Sequence, residues 1–335
     1  MLVSVVVPVY NMARYLPACL DSVLAQEGVD LEVVVVDDGS SDDFEGAVAP
    51  YRGRVRLLRQ PHTGLAAALN AGVAASRGEL LAMMDADDLL LPGSLAVRAR
   101  LLQERPSLGL VFGPALVIDG AGRVLGWRRP PLREGVLPSP LAFRWLLRGC
   151  RVPTSTVMVP RGVLDVLGPF RHEAYPGEDW HLWLLIASRY DLYYLGRPLA
   201  CYRLHGGSVT AGYRLEEVER SHRFTLADVF GRLPPQQQAL EPLAQAYLER
   251  TLAAMAARLG RWGAFLRHLG AALARRPGLL LEAETWGCLA VGARSLLPTP
   301  LVRGLKRLRD PLRRRGLRHP RVHDRLWRRE AGGGP

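Results

Sequence analysis

Val33-Val34-Val35-Val36-Asp37-Asp38-Gly39-Ser40 is an apolar run that ends on two carboxylates and a Gly-Ser turn. Its four consecutive valines predict a strand that is buried on both faces, as in the parallel sheets of α/β proteins. The predicted strand begins at Leu31, and further strand-like runs lie at residues 3–9, 55–58, 79–84, 109–118 and 123–126, with a Pro-rich loop at 130–140. Amphipathic stretches that predict helices lie between them, at 12–26, 65–76 and 92–104. This alternation predicts a parallel, doubly wound α/β sheet.

Polar residues that directly follow the predicted strands are the first candidates for function, because such sheets bind ligands beyond the carboxyl ends of their strands. Asp37 and Asp38 are one such pair. One of them could accept hydrogen bonds from the base or ribose of a nucleotide. A structural role competes with this interpretation, because an aspartate after a strand can also cap the next helix.

The second group is Met84-Asp85-Ala86-Asp87-Asp88, which again follows an apolar strand. Three carboxylates within four residues repel one another, and a bound cation would offset that repulsion. Carboxylate oxygens are also the ligands that hard divalent metals prefer. A helix N-cap before Pro92 would explain one of these aspartates but not three, so the pattern favours a metal site.

Two later segments are candidates for a general base and for a group that binds an anion. Glu178-Asp179-Trp180 opens an amphipathic stretch, where one carboxylate could act as a general base or only complement the helix dipole. Residues 202–210 form a basic, Gly-rich segment that could wrap an anionic group.

Taken together and in this order, the motifs resemble the family-2 glycosyltransferases of the GT-A fold. The resemblance covers residues 3–210 and rests on the order of its motifs. These are Pro8-Val9-Tyr10-Asn11, Asp37-Asp38-Gly39-Ser40, Gly64, Ala68-Leu69-Asn70-Ala71-Gly72, Arg77-Gly78-Glu79, Asp85-Ala86-Asp87-Asp88 and Glu178-Asp179-Trp180. It implies a GT-A type doubly wound mixed sheet, with a Rossmann-like nucleotide-binding half, and an inverting transfer from a nucleotide-sugar donor.

The resemblance also implies roles for individual residues. Asp179 would take the proton from the acceptor hydroxyl, and Glu178 is the weaker candidate for that base. Asp87 would ligate Mg²⁺ or Mn²⁺ together with the donor diphosphate. The implied nucleotide-sugar-binding set is Pro8, Tyr10, Asn11, Asp38, Gly64, Asn70, Asp85, Ala86, Arg203 and His205. The acceptor side would include Glu178, Trp180, Thr154 and Ser155.

This chain departs from the family pattern at two positions. Many members have Asn where this chain has His62, and Arg where it has Leu69. Uridine is nevertheless the first choice of base, because Asp38 can accept a hydrogen bond from a uracil imide. Thymidine presents the same edge, and guanosine stays open.

The predicted domain organisation follows from a change of pattern along the chain. Residues 1–212 would form the catalytic domain, with a nucleotide-sugar-binding half at 1–105 and an acceptor half at 106–212. From about residue 215 only helical patterns occur, which predicts a helical appendage over 213–299. Residues 300–335 form a basic amphipathic tail.

The tail carries most of the formal net charge of +12, because residues 301–335 hold eleven arginines and Lys306 against three acidic residues. Its arginines alternate with leucines over 300–329, a pattern that favours contact with an anionic membrane surface. Such contact would suit a lipid-linked saccharide acceptor. A solvated face or a protein-docking segment would produce the same pattern, and nucleic acid is a weaker option.

The remaining sequence features indicate a cytoplasmic protein, peripheral at most to the inner face of the plasma membrane. Met1 leads directly into a strand-like segment with no signal-peptide pattern. No apolar run reaches the roughly 18 residues that a membrane span needs. The four cysteines stand far apart, which favours isolated thiols over disulfides or a zinc site.

A nucleotidyltransferase and a non-catalytic binding subunit remain as alternatives, whereas the motifs exclude a dehydrogenase. A nucleotidyltransferase would normally carry a Gly-rich phosphate loop after the first strand, where this chain has Tyr10-Asn11-Met12-Ala13. A dinucleotide-binding dehydrogenase would carry GxGxxG at the same place. A non-catalytic nucleotide-sugar-binding subunit of a larger assembly would share the donor motifs, but it would not need Asp87 and Asp179.

Overall fold

The computed structural model describes residues 1–207, 212–282 and 284–286. These residues divide into two compact units. The first comprises Met1–Leu146 and Cys150–Gly212. The second comprises Leu147–Gly149 and the described residues that follow Gly212.

The strands of the first unit are β1 (Leu2–Val9), β2 (Asp30–Asp37), β3 (Arg56–Arg59), β4 (Leu80–Met83), β5 (Leu89–Leu90), β6 (Leu108–Phe112), β7 (Ala115–Asp119), β8 (Val124–Arg128), β9 (Gly135–Leu137), β10 (Met158–Pro160), β11 (Asp191–Tyr194) and β12 (Ala200–Leu204). Its helices are α1 (Leu16–Leu24), α2 (Phe44–Val48), α3 (Leu65–Ala75), α4 (Ser94–Glu104), α5 (Ser139–Leu146), α6 (Arg161–Leu167) and α7 (Glu178–Ala187). Short 3-10 turns at Thr154–Thr156 and His172–Ala174 precede β10 and α7.

The larger sheet has the strand order β3-β2-β1-β4-β10-β6-β11-β9. The first four of these strands are parallel to one another, and β10 lies antiparallel between β4 and β6. The valines of β1 and β2 are buried on both faces, because helices cover both sides of the sheet. The predicted doubly wound mixed sheet is confirmed.

The register of the parallel strands brings their carboxyl ends to one edge. Val9 at the end of β1 pairs with Asp37 at the end of β2, and Val6 pairs with Met83 at the end of β4. The polar segments after these three strands therefore meet at the same edge. This is the place where the sequence predicts the site.

A second, smaller sheet has the order β5-β12-β7-β8, with β8 at its edge. Residues 109–118, predicted as one strand, are divided between the two sheets as β6 and β7. The break falls at Gly113-Pro114, where proline lacks the N–H that a continuous ladder needs. A side chain on Gly113 would also collide with Leu199, at 2.8 Å from its nearest atom. The predicted loop at 130–140 contains β9 and the start of α5.

The second unit is helical in its described part. Its helices are α8 (Leu215–Gly231), α9 (Pro235–Gln238), α10 (Glu241–Arg258) and α11 (Trp262–Arg275). A buried charge cluster lies in this unit: Arg223 donates to Glu249 at 2.8 Å, and His268 Nδ1 lies 2.7 Å from the other oxygen of Glu249. The tail at 300–335 and Cys288 lie outside the described residues.

Two further expectations concern thiols and membrane spans. Cys19, Cys150 and Cys201 are free thiols, as predicted for the cysteines that the structure describes. None of the helices in the described ranges has the length and apolar character to cross a membrane.

Candidate functional site

Asp38, at the end of β2, holds the loop that leads into α3. One carboxylate oxygen accepts from Gln60 Nε2 at 2.7 Å and from the Thr63 backbone N–H at 2.9 Å. The other accepts from the Gly64 backbone N–H at 2.9 Å and lies 2.8 Å from His62 Nδ1. These hydrogen bonds lower the pKa of Asp38 against the opposing effect of burial, which is the largest single contribution. The carboxylate is therefore ionised and its loop is already formed.

Tyr10 and His62 form an aromatic platform beside this carboxylate. Their rings stack with centroids 3.9 Å apart and planes inclined by 15°. The Tyr10 side chain is exposed, so its outer face is open. Asn11, with a φ of 54°, accepts from the Ser41 backbone N–H at 2.7 Å and so ties the segment after β1 to the segment after β2. Asn11 lies in the left-handed region that Asn tolerates better than most residues.

The aspartates after β4 have different environments. Asp88 is fully buried and accepts from Ser155 Oγ at 2.7 Å and from the Arg203 backbone N–H at 2.8 Å. Burial, followed by the nearby Asp85 and Asp87, raises the pKa of Asp88 well above its usual range. Asp88 therefore connects β12 to the segment after β4 and has a structural role.

Asp87 is 17% exposed and pairs with His205. Its Oδ2 lies 2.9 Å from His205 Nε2. The Gly207 backbone N–H donates to His205 Nδ1 at 3.2 Å, which places the proton of a neutral ring on Nε2, facing Asp87. Arg203 holds the backbone of this residue, because its Nε donates to the Asp87 carbonyl at 2.6 Å.

Asp179 lies in the first turn of α7 and is held at both oxygens. Thr154 Oγ1 donates to Oδ2 at 2.9 Å, and the Trp180 backbone N–H donates to Oδ1 at 2.6 Å. The Cys150 thiol lies 3.5 and 3.6 Å from the two oxygens. These contacts fix the orientation of the carboxylate, as a proton acceptor of defined direction requires.

Glu178 precedes Asp179 but is 95% removed from solvent. Burial, followed by the charge of Asp179, raises the pKa of Glu178 to about 8. A carboxyl group that is largely protonated at neutral pH is a poor proton acceptor. Of the two acids, Asp179 is the one whose environment suits a general base.

Adjacent residues link the two groups of carboxylates, because Thr154 donates to Asp179 and Ser155 donates to Asp88. Burial raises the pKa of Asp85 to about 7, and the charges of Asp87 and then Asp179 add to this effect. The cation of Arg128, at the end of β8, opposes them. The segment after β4 and the start of α7 therefore lie close to each other.

The family model that matches this arrangement is Glycosyl transferase family 2, over residues 4–159. That match includes β1, β2, β4 and all three aspartates after β4. A Mycobacterium tuberculosis protein of uncharacterised function is 34% identical over 60% of this chain and 67% of its own length. An uncharacterised glycosyltransferase of a Nostoc species is 32% identical over 62% and 66%. The chain belongs to glycosyltransferase family 2.

A third relative of the glycosyltransferase has a more specific name. It is the Escherichia coli UDP-Glc:alpha-D-GlcNAc-diphosphoundecaprenol beta-1,3-glucosyltransferase, 27% identical over 65% of this chain and 83% of its own length. The chain spans only about two thirds of the Mycobacterium and Nostoc relatives.

Solved structures support the same fold for the glycosyltransferase. Staphylococcus aureus TarS with UDP-GlcNAc superposes with a TM-score of 0.64 at 16% identity, over 92% of both chains. A mannosyltransferase of Pyrobaculum calidifontis with GDP-Man and Mn²⁺ gives a TM-score of 0.57 at 22% identity, over 91% of this chain and 83% of that one. The predicted GT-A fold is confirmed.

The residues around Asp87 fit a divalent cation. Asp87 supplies oxygen ligands to the cleft, and His205 lies beside it. No group of three or more metal-ligating side chains occurs in the part of the glycosyltransferase that the structure describes. A site with so few protein ligands suits Mg²⁺ or Mn²⁺, which are commonly held by one or two carboxylates together with substrate phosphates.

Three predicted site residues of the glycosyltransferase make their contacts inside the protein. Asn70 was expected to bind the donor, but its amide exchanges two hydrogen bonds of 2.9 Å with the Phe170 backbone. Arg203 is buried, and its guanidinium bonds the carbonyls of Asp87 and Asp119. Trp180 is buried and donates its Nε1–H to the Leu146 carbonyl, so its ring is not open to a sugar.

The remaining predicted site residues are buried or only partly exposed. Pro8 and Ala86 are buried, and Gly64 contributes its N–H to Asp38. Thr154 and Ser155 lie behind Asp179 and Asp88, which they orient by hydrogen bonds. The Thr154 and Ser155 side chains therefore contact these carboxylates from within the protein.

Sequence reasoning missed Arg128 and Cys150 of the glycosyltransferase. The strand predicted at 123–126 ends before Arg128, whereas β8 continues to it. Extending the alternation by two residues would have placed Arg128 on the same face as Val124 and Gly126. Cys150 gives no local signal, because it meets Asp179 only through the packing of the loop before Thr154 onto α7.

Proposed function

We propose that this glycosyltransferase moves a sugar, with inversion, from a nucleotide-diphosphate donor to a hydroxyl group of an acceptor. The observation that carries this proposal is the Asp179 carboxylate. It is held by Thr154 and by a backbone N–H, and the adjacent Ser155 donates to Asp88 of the segment after β4. An in-line displacement at the anomeric carbon needs a proton acceptor on one side and stabilisation of the leaving group on the other.

Asp179 supplies the proton acceptor in this proposal. Hydrogen bonds from Thr154 and the Trp180 backbone orient its free lone pairs. The acceptor hydroxyl gives its proton to Asp179 as its oxygen attacks the anomeric carbon. Since Glu178 is protonated at neutral pH, no second ionised carboxylate of α7 is placed to attack the sugar and form the covalent intermediate of a double displacement.

Asp87 supports the departure of the nucleoside diphosphate. Together with the oxygens of the diphosphate, Asp87 would hold Mg²⁺ or Mn²⁺, and His205 would orient the Asp87 carboxylate through its Nε2–H. The bound cation would act as a Lewis acid on the leaving group. Arg203 fixes the backbone of Asp87, so the carboxylate presents its oxygens in one direction before the donor binds.

Tyr10, His62 and Asp38 are proposed to bind the base, with uracil favoured. The open face of Tyr10 can stack on a base, and a base N–H would share or replace the contact between His62 and Asp38 Oδ2. The E. coli relative is named for a UDP-glucose donor and TarS was solved with UDP-GlcNAc. The mannosyltransferase was solved with GDP-Man, so guanine is the second candidate.

The proposed acceptor is a saccharide, free or lipid-linked, in the synthesis of a cell-surface glycan or polysaccharide. The E. coli relative is named for a diphosphoundecaprenol-linked acceptor. We further propose that the enzyme acts at the cytoplasmic side of the membrane, with residues 300–329 in contact with the lipid surface.

Binding of nucleotides to the intact protein tests the donor site. Thermal shift with UDP, GDP, dTDP and ADP, each with and without Mn²⁺, should show stabilisation by one nucleotide that depends on metal. Asp87→Asn should lose that stabilisation, whereas the surface control Asp165→Asn should keep it. If none of the nucleotides stabilises the protein, the proposal is wrong.

The stereochemistry tests the mechanism. The anomeric configuration of the product, read from its NMR coupling constants, should be opposite to that of the donor sugar. Retention of configuration would refute the role assigned to Asp179. Nucleotide binding without transfer to any of a range of lipid-linked and free saccharides would favour the non-catalytic binding subunit instead.

A further inference from the structure

The His62 side chain makes two contacts of the kind that a nucleotide base makes with a protein, a ring stack and a ring N–H hydrogen bond. Its imidazole stacks on Tyr10, with centroids 3.9 Å apart and planes inclined by 15°. Its Nδ1 lies 2.8 Å from Asp38 Oδ2 and 3.1 Å from the Asp38 carbonyl oxygen. Because both of these neighbours are hydrogen-bond acceptors, Nδ1 carries a proton and donates it to Asp38.

Donors from the described residues take up the lone pairs of the Asp38 carboxylate. A carboxylate offers about four lone-pair positions, two on each oxygen. Oδ1 accepts from Gln60 Nε2 and from the Thr63 backbone N–H. Oδ2 accepts from the Gly64 backbone N–H and from His62 Nδ1. A base N–H can therefore bind to Asp38 only after one of these four donors has left.

His62 is the donor that can leave most easily. The donors of Thr63 and Gly64 are backbone groups, and their loss would open the loop before α3. Gln60 Nε2 also donates to Thr63 Oγ1 at 2.6 Å, so two partners hold it. The His62 side chain is exposed over 51% of its surface, and it needs only a change of rotamer to leave Asp38.

The backbone of His62 is held in place while its side chain can turn. A Cβ on Gly39, which has a φ of 74°, would lie only 2.8 Å from the His62 backbone nitrogen, so the two segments are in close contact. The next residue along the chain, Thr63, donates its N–H to Asp38. Rotation of the imidazole would therefore free Asp38 Oδ2 and one face of Tyr10 without moving the loop.

We propose that the His62 imidazole occupies the base position at Asp38 in the donor-free enzyme, and that the base of the donor displaces it. This inference rests on the proposed function, because it takes Asp38 as the carboxylate that binds the base. The contact between His62 and Asp38 is then replaced, and not shared, when the donor binds. The apparent Kd is the intrinsic Kd divided by the fraction of enzyme in which His62 has turned away, so His62 lowers the affinity for the nucleotide.

Calorimetric titration of the full chain with UDP in saturating Mg²⁺, and with GDP in parallel, tests the proposal. His62→Ala removes the competing side chain and leaves the backbone donors to Asp38 in place. It should bind the nucleotide about two- to ten-fold more tightly than the parent, the range that corresponds to one hydrogen bond.

His62→Phe separates the two contacts, because it keeps a ring that can stack on Tyr10 but has no N–H to donate. Tighter binding in both variants would assign the competition to the hydrogen bond with Asp38. Tighter binding in His62→Ala alone would assign it to the stack on Tyr10. Unchanged or weaker binding in both would mean that His62 supports the base, and it would overturn the proposal.

His172→Ala is the matched control. His172 is also exposed, in the turn at His172–Ala174, and its replacement removes one imidazole as well. This variant should bind the nucleotide as the parent does. Equal tightening in His62→Ala and His172→Ala would show a general effect of removing a histidine, and it would contradict the proposal.

The NMR signal of the His62 Cε1–H gives a second and direct measurement. In protein labelled at histidine, this signal is identified by its loss in His62→Ala, and the stacked Tyr10 ring shifts it upfield in the donor-free enzyme. Saturation with the nucleotide and Mg²⁺ should move it toward the position of an unstacked histidine. A signal that keeps its shift in the saturated protein would show that His62 is not displaced. Failure of both nucleotides to bind the parent would instead refute the donor site itself.

Discussion

Replacing Asn70 by alanine separates a structural role from a donor-binding role for this residue. The Asn70 amide donates to the Phe170 carbonyl and accepts from the Phe170 N–H, both at 2.9 Å, across one hundred residues of sequence. Phe170 is buried and its ring packs edge-on against Trp183 of α7. The two hydrogen bonds therefore attach α3, in the nucleotide half, to the segment that leads into α7.

The expected loss in the free energy of unfolding depends on how many hydrogen-bonding groups Asn70→Ala leaves without a partner. Each hydrogen bond contributes about 0.5–1.5 kcal/mol, and a buried partner left unsatisfied costs up to about 3 kcal/mol, so Asn70→Ala should cost roughly 2–4 kcal/mol. For a domain of this size, 1 kcal/mol corresponds to about 2–4 °C in Tm. We expect Tm to fall by roughly 5–15 °C, while UDP affinity below the transition changes less than about two-fold.

Thermal shift and calorimetric UDP binding on the same preparations measure both quantities. Gln103→Ala, an exposed amide on α4, is the control and should leave both unchanged. Asn70→Asp should lower Tm by less than Asn70→Ala does. It keeps an acceptor for the Phe170 N–H, but a carboxylate replaces the amide group that donates to the Phe170 carbonyl. A Tm within about 1 °C of the parent, combined with a ten-fold loss of UDP affinity, would refute the structural assignment and restore the donor-binding one.

Three further predictions concern the carboxylates. Asp179→Asn should lower the transfer rate by about 10²–10⁴-fold, the range for a general base, with UDP affinity unchanged; retained activity measured by donor turnover would exclude Asp179 as the base. Asp87→Asn should weaken Mn²⁺-dependent UDP binding by about ten-fold or more, and excess EDTA should reduce the parent to the level of the variant; a response to EDTA equal in both proteins would contradict this. Burial raises the pKa of Glu178 to about 8 in the folded state. The folded state therefore holds this proton more tightly than the unfolded state, and it loses stability as the pH rises toward the folded-state pKa. Between about pH 5 and pH 8, Glu178→Gln should therefore lose less Tm than the parent, and parallel Tm profiles would argue against a buried, protonated Glu178.

Much of the nucleotide half could be predicted because its signals are local. The valine runs of β1 and β2 can be satisfied only by burial on both faces, and the intervening amphipathic stretches can cover them only as helices. The structure has these strands at Leu2–Val9 and Asp30–Asp37, within a residue of the predicted bounds. The acceptor half was harder to predict from the sequence. Its strands β9, β10 and β12 are short, and they pair with strands that are far away in the sequence.

Local sequence patterns were enough to predict the order of strands and helices in the nucleotide half, the edge of the sheet at which the aspartates lie, and the family. These follow from the period of apolar residues and from motifs within a few positions of one another. The partner of each polar side chain could not be predicted in this way, because a hydrogen-bonding group takes whichever partner the fold brings near. The fold made Asp87 and His205 partners across 118 residues, and it assigned Asn70 to the Phe170 backbone. The fold also placed Arg128 over the Tyr202 ring, because the direction of a side chain on an edge strand depends on the register of that strand with its neighbour.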